Sequence, residues 1–165
     1  MAISESRAAA ASTHFRVQSP NSQSRRIKIV GLGDGGGRIA QAIRQRGLGD
    51  VDIINAGDYV IDSANALVKG STGDNIALHR HLEEANIIFI VAVNGDQVGF
   101  ARVVSRIARD LGKLVTGVLV EERGTQSAED AATLDTLRAC ADMLVIGSDE
   151  SYLDEMLNQL GAPAA

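Results

Sequence analysis

Cysteine is nearly missing from this chain: the single thiol, Cys140, excludes an internal disulfide and any cysteine-built metal centre, and it fits a reducing, cytoplasmic compartment. Histidine is scarce too, and the scattered His14, His79 and His81 do not make a metal site. With no tryptophan and only 3% aromatic residues, the chain has little material for stacking single-stranded bases. No apolar run approaches the roughly 20 residues of a membrane span, and no secretory core follows Met1. Basic charge is lacking from most of the chain. Residues 1–26 carry Arg7, Arg16, Arg25 and Arg26 against Glu5, a balance of +3, which leaves −8 on the remainder of a chain whose net charge is −5. An acidic body excludes a general nucleic-acid surface.

What is there begins at Ile27. Residues 1–26 are rich in Ala, Ser and Gln without a hydrophobic period, which predicts a disordered basic arm, although organelle transit peptides share this composition. A single domain over 27–161 and a short tail at 162–165 follow. Five Ile- and Val-rich runs, Ile27–Val30, Val51–Ile54, Ile87–Val93, Leu114–Val120 and Met143–Ile146, are apolar on both faces, as strands of a covered parallel sheet are. Helical spacing links them. Val98, Ala101, Ser105, Ala108 and Leu111 make one face, Ala131, Leu134, Arg138 and Ala141 another, and Leu153, Met156, Leu157 and Leu160 a third. The alternation predicts an α/β fold: a doubly wound, mostly parallel sheet of about five strands.

Sheets of this kind bind ligands at the carboxyl ends of their strands, where strand order reverses, so the loops after the apolar runs are the candidates. Gly31-Leu-Gly33-Asp34-Gly35-Gly36-Gly37-Arg38 lies between the first strand and its helix. Glycines there let backbone N–H groups approach an anion at a helix N-terminus, the arrangement of phosphate and nucleotide sites. The same glycines also suit a tight turn that packs helix against strand. Without a Lys-Ser/Thr ending the loop is not a Walker-type P-loop. Asp34 repels a phosphate unless Mg²⁺ bridges the two or the side chain points out, and Arg38 either compensates or is a solvated first-turn residue. The second loop, Asn94-Gly95-Asp96-Gln-Val-Gly99, is a phosphate-facing turn, a Mg²⁺ contact or, slightly favoured, an ordinary turn with an N-cap. Gly70–Asn75 and Glu121-Glu122-Arg123 either face the ligand or solvate their turns. His79 and His81 are expected at the surface.

Ile27-Lys-Ile-Val-Gly-Leu-Gly-Asp-Gly-Gly-Gly37 resembles the opening strand and glycine loop of the FtsZ/tubulin family. Leu82-Glu-Glu-Ala-Asn-Ile-Ile-Phe-Ile-Val-Ala92 is similar to that family's "LEGADMVFITAG" strand, Ile107–Val118 to its "IAKELGALTVGVV" segment, and Leu134 to Gly147, with "LRACADMLVIG", to its "LRKHVDTLIVIP" block. The resemblance implies an N-terminal nucleotide-binding domain for GTP or GDP. Against it, Asn94–Gly99 keeps only Gly95 and Gly99 of the family's GGGTGTG phosphate loop, and the segment between the second and third long runs is short, leaving an edge strand at most as a stub near Leu67–Lys69. The family's catalytic acidic loop and second domain are expected to be missing after Tyr152. The resemblance therefore implies a truncated module that binds guanine nucleotide weakly or not at all and acts through protein partners, either copies of itself or a larger complex, rather than by hydrolysis. The alternatives are a nucleotide-free interaction scaffold or, with Gly31, Gly33, Gly36 and Asp58 as fingerprint, an NAD-type Rossmann binder.

Overall fold

The computed structural model describes residues 25–59, 75–122 and 127–160. Its five strands are β1 (Ile27–Gly31), β2 (Val51–Asn55), β3 (Ile87–Val93), β4 (Val115–Val120) and β5 (Met143–Gly147). They form one sheet in the order β2-β1-β3-β4-β5, and every pairing is parallel. Five α-helices accompany them among the described residues: α1 (Gly33–Gln45), α2 (Asn75–Glu83), α3 (Phe100–Asp110), α4 (Ala128–Cys140) and α5 (Ser151–Gln159). The expected doubly wound α/β architecture is the observed one. Each predicted run is a strand to within one residue at its ends, Leu114 having dropped out of β4 to stand 76% exposed.

Because side chains alternate across a strand, one strand feeds two cores. On one face Val30, Ile54, Ile88, Ile90, Ala92, Val115 and Leu119 pack beneath α2, α3 and α4. On the other, Ile27, Ile29, Phe89, Val91 and Val118 pack beneath Ala40 and Ile43 of α1 and Leu153 and Leu157 of α5. The helix after β1 thus covers one face and the helix after β3 the other, although the two strands are neighbours. Strand order reverses between them, which opens a crevice at their carboxyl ends.

Two helical faces were expected as found. The face of α4 was not: its buried residues are Thr133, Leu137 and Cys140, while Arg138 is exposed and Ala131, Leu134 and Ala141 are only partly covered. The N-terminus of α4 is fixed by a reciprocal cap, in which the Ser127 amide donates to Asp130 Oδ2 and the Asp130 amide donates to Ser127 Oγ, both at 3.1 Å.

One charged residue lies inside the sheet. Lys28 is 1% exposed on β1, ion-paired with its register partner Asp52 on β2 and 3.7 Å from Glu84. Its stem is packed in the interior while both carboxylates remain in contact with water. No described helix is long and apolar enough to cross a membrane.

Candidate functional site

The crevice between β1 and β3 brings two of the sequence-predicted loops together. α1 starts at Gly33 directly after Leu32, which offers no capping side chain, so the first N–H groups of the helix need an acceptor from elsewhere. That acceptor is Asp96, about sixty residues further along the chain. Its Oδ1 accepts from the Gly35 amide at 3.0 Å, and its Oδ2 accepts from the Gly36 amide at 2.9 Å and from the Val93 amide at 2.8 Å. A carboxylate thus sits where the glycine loop would hold a phosphate, on three backbone donors and at the positive end of a helix dipole. The slightly favoured reading of Asn94-Gly-Asp96 as a turn with an N-cap holds in part. Asp96 caps a helix, but that helix is α1, and α3, with Gly99 at its N-cap position, has no side-chain cap.

The turn holding Asp96 is itself tied down. The Asn94 amide donates to the Val120 carbonyl at 3.1 Å, the Asp96 amide donates to the Val93 carbonyl at 3.0 Å, and Gly95 takes a φ of +82°, a region that favours glycine. From α4, Thr133 Oγ1 lies 2.9 Å from the Asp96 carbonyl and 3.0 Å from that of Glu129, and its hydroxyl donates between them.

The glycines of the first loop divide by what surrounds them. A Cβ on Gly36 would stand 2.1 Å from the Val91 carbonyl oxygen, and one on Gly31 would stand 2.8 Å from the Gly36 oxygen. At Gly35 it would meet Val93 Cβ at 2.6 Å, and at Gly33, where φ is +66°, Asp96 Cβ at 2.7 Å. Gly37 differs: a Cβ there would find nothing nearer than Asn55 Oδ1 at 3.9 Å. Four of the five glycines are therefore required by close packing of the helix against β1, β3 and Asp96. With Asp96 in place the donors do not fit a phosphate, whose charge would stand against a carboxylate on the same amides.

The remaining expected residues lie around this centre. Asp34 and Arg38 are exposed on the first turns of α1, and Asn94 and Gly99 are half-buried. Beside the turn, a cavity of about 290 Å³ is lined by Gly95 to Gly99 and by Arg102, Glu129, Thr133 and Thr136. Glu121 follows β4 and donates its amide to the Gly147 carbonyl at 2.7 Å, and Glu122 is exposed. Arg123, residues 70–74 and the edge stub near Leu67–Lys69 lie outside the described residues. His79 and His81 are exposed on α2, and Asp58 is exposed in the short 3₁₀ turn Ala56–Asp58 after β2. Among the described residues no group of His, Cys, Asp or Glu side chains could hold a metal ion. Burial pushes the Cys140 thiol above its ordinary pKa, against the opposing pull of Arg102 and Arg109.

Sequence reasoning placed both loops at the site but missed the bond between them. The signal was available: a glycine-rich helix start without a capping side chain, facing an aspartate on the adjacent loop.

No protein-family model matches the chain. Among solved structures it is similar to a PLP-bound C-S lyase from Staphylococcus hominis, in the external aldimine form with the inhibitor L-cycloserine, at 12% identity and a TM-score of 0.34. That match covers 84% of this chain and spans 38% of the lyase chain. A likeness of this size carries no inference about a cofactor or an activity.

Proposed function

We propose that this chain is a non-hydrolysing α/β module that binds guanine nucleotide weakly or not at all and acts through protein partners. The observation that supports the reading is the Asp96 carboxylate on the amides of Gly35, Gly36 and Val93. A phosphate entering the same cradle places like charges in contact, and at 4 Å and an effective dielectric of 20 that repulsion is about 4 kcal/mol. Binding therefore requires Asp96 to leave its donors or a cation such as Mg²⁺ to bridge the two anions. The exposed Asp34, on the same helix turn, adds to the field against a phosphate. Gly33, Gly35 and Gly36 suit the reading equally well, because close packing against Asp96, Val93 and Val91 accounts for them without a ligand.

Calorimetric titration of GTP and GDP, with and without Mg²⁺, into the wild-type chain and Asp96→Ala tests the reading. The wild type is expected to show no saturable binding tighter than about 0.1 mM. Asp96→Ala, which frees the donors without adding bulk, is expected to bind at least about tenfold more tightly. Micromolar binding by the wild type, or phosphate release that rises steeply with its concentration, overturns the reading.

A further inference from the structure

The two edges of the sheet are built differently. β2 carries Asp52, whose charge is engaged by Lys28. β5 reads Met-Leu-Val-Ile-Gly, with neither a charge nor a proline to discourage another strand, and among the described residues no strand pairs with its outer side. Its apolar residues are exposed on both faces. Met143, 53% exposed, shares a face with Thr116, because α5 packs Leu153 and Leu157 over the centre of the sheet instead. Ile146, 44% exposed, stands on the opposite face as the register partner of Leu119. The carboxyl end of the strand is acidic, with Glu121 and Glu122 after β4 and Asp149 and Glu150 after β5.

We propose that the outer edge of β5 is a docking edge for an extended segment of a partner protein, which adds as a sixth strand with apolar side chains on both faces and Lys or Arg at the end beside Asp149 and Glu150. The proposal rests on the reading of this chain as one that acts through partners, and it names the surface and the chemistry of the partner. A strand fits better than a helix. A helix laid on one face would cover Met143 and leave Ile146 in water, whereas an added strand flanks both and also satisfies the outward N–H and C=O groups of β5. Charge argues against a second copy. Antiparallel self-pairing about Val145 sets Met143 opposite Gly147, bringing Asp142 of each copy to Ser148 and Asp149 of the other. Parallel self-pairing sets the two acidic ends side by side.

The probe is a fluorescent peptide of about ten residues, the upper end of ordinary strand length, built of Val-Val-Thr-Thr repeats that put Val on both faces, with two lysines at one end. It is titrated into the full-length chain and compared with a peptide that has Glu for Lys and with one that carries a central Pro. The lysine peptide is expected to bind saturably, the Glu and Pro peptides at least about tenfold more weakly, and Ile146→Thr to weaken the lysine peptide by a similar factor. Circular dichroism melts of Ile146→Thr establish that it is folded, and amide exchange slowed on β5 when the lysine peptide is bound gives a readout that needs no variant. Equal binding of all three peptides, or binding unaffected by Ile146→Thr with no protection on β5, overturns the proposal. So does dimerisation of the chain that Ile146→Thr abolishes, or peptide binding that appears only after deletion of residues 1–24, since either gives the edge a different occupant. GTP titration into the same wild-type sample separates the two readings. Micromolar nucleotide binding alongside specific peptide binding removes the reading of the cradle and leaves the docking edge, and the converse result removes the edge alone.

Discussion

At the scale of single residues, Asp96 and Lys28 are opposite uses of a charge. Asp96 is held by three backbone donors, whereas Lys28 is a buried cation whose two carboxylate partners both reach water. Replacing Lys28 with Met keeps the volume of its stem and lets Asp52 and Glu84 rehydrate. Lys28→Met is therefore expected to keep stability within about 1 kcal/mol of the wild type or to raise it. Removing the partners instead, in Asp52→Ala/Glu84→Ala, strands the ammonium and is expected to cost about 3 kcal/mol in urea melts. Equal losses in both variants would show that the ion pair itself holds β1 to β2. Cys140 gives a pH prediction. Its folded pKa lies above the unfolded value because burial disfavours the thiolate, so the folded state holds this proton more tightly. The stability that follows is complete below the ordinary thiol pKa of about 8.5 and is lost as pH rises from there through the folded value. Urea melts across that range should show a decline that Cys140→Ala reduces. These residues were legible only in part. Asp96 was legible as a loop aspartate with capping chemistry, but its target was not, because local pattern carries no information about a partner about sixty residues away.

At the scale of elements, the glycine-rich start of α1 offers the sharpest comparison. Gly36→Ala drives a methyl into the Val91 carbonyl, which can give way only if β3 moves, and a loss of about 3 kcal/mol or failure to fold is expected. One residue on, Gly37→Ala meets open space inside a helix, and a gain of about 0.5–1 kcal/mol is expected from the stiffer unfolded chain. Thermal melts of the pair check both signs. If Gly37→Ala were as damaging as Gly36→Ala, packing would not explain the motif. The strands were legible because runs apolar on both faces have few other solutions in a soluble chain. The orientation of α4 was not. In Ala-Glu-Asp-Ala-Ala-Thr-Leu-Asp-Thr-Leu-Arg-Ala-Cys140 several stripes of small residues compete, and the winning one includes Thr133, a polar residue drawn inward by its hydrogen bond to the Asp96 loop. A tertiary hydrogen bond thus outweighed the apolar pattern.

At the scale of the whole molecule, strand–helix alternation made the doubly wound sheet readable, and the reversal of strand order told which loops would meet. It did not tell whether they would meet around a ligand or around each other. The N-terminal residues 1–24 lie outside the described residues, and their composition has no apolar period. Deleting them is expected to leave the Tm within about 2 °C, whereas a fall of several degrees in differential scanning calorimetry would mean that they pack on the domain. The carboxylate in the crevice has a last consequence for any anion that arrives there. On the proposed reading of the cradle, Asp96 is a tethered competitor, so the apparent affinity of a mobile anion is its intrinsic affinity multiplied by the fraction of molecules in which the cradle stands open. If opening costs about 3 kcal/mol, of the order of one charged hydrogen bond, that fraction is about 1%, and an intrinsic micromolar affinity is felt as roughly 0.1 mM. By reciprocity, whatever draws the turn around Asp96 away from α1 sharpens anion binding by the same factor, and an anion once bound favours whatever drew it away.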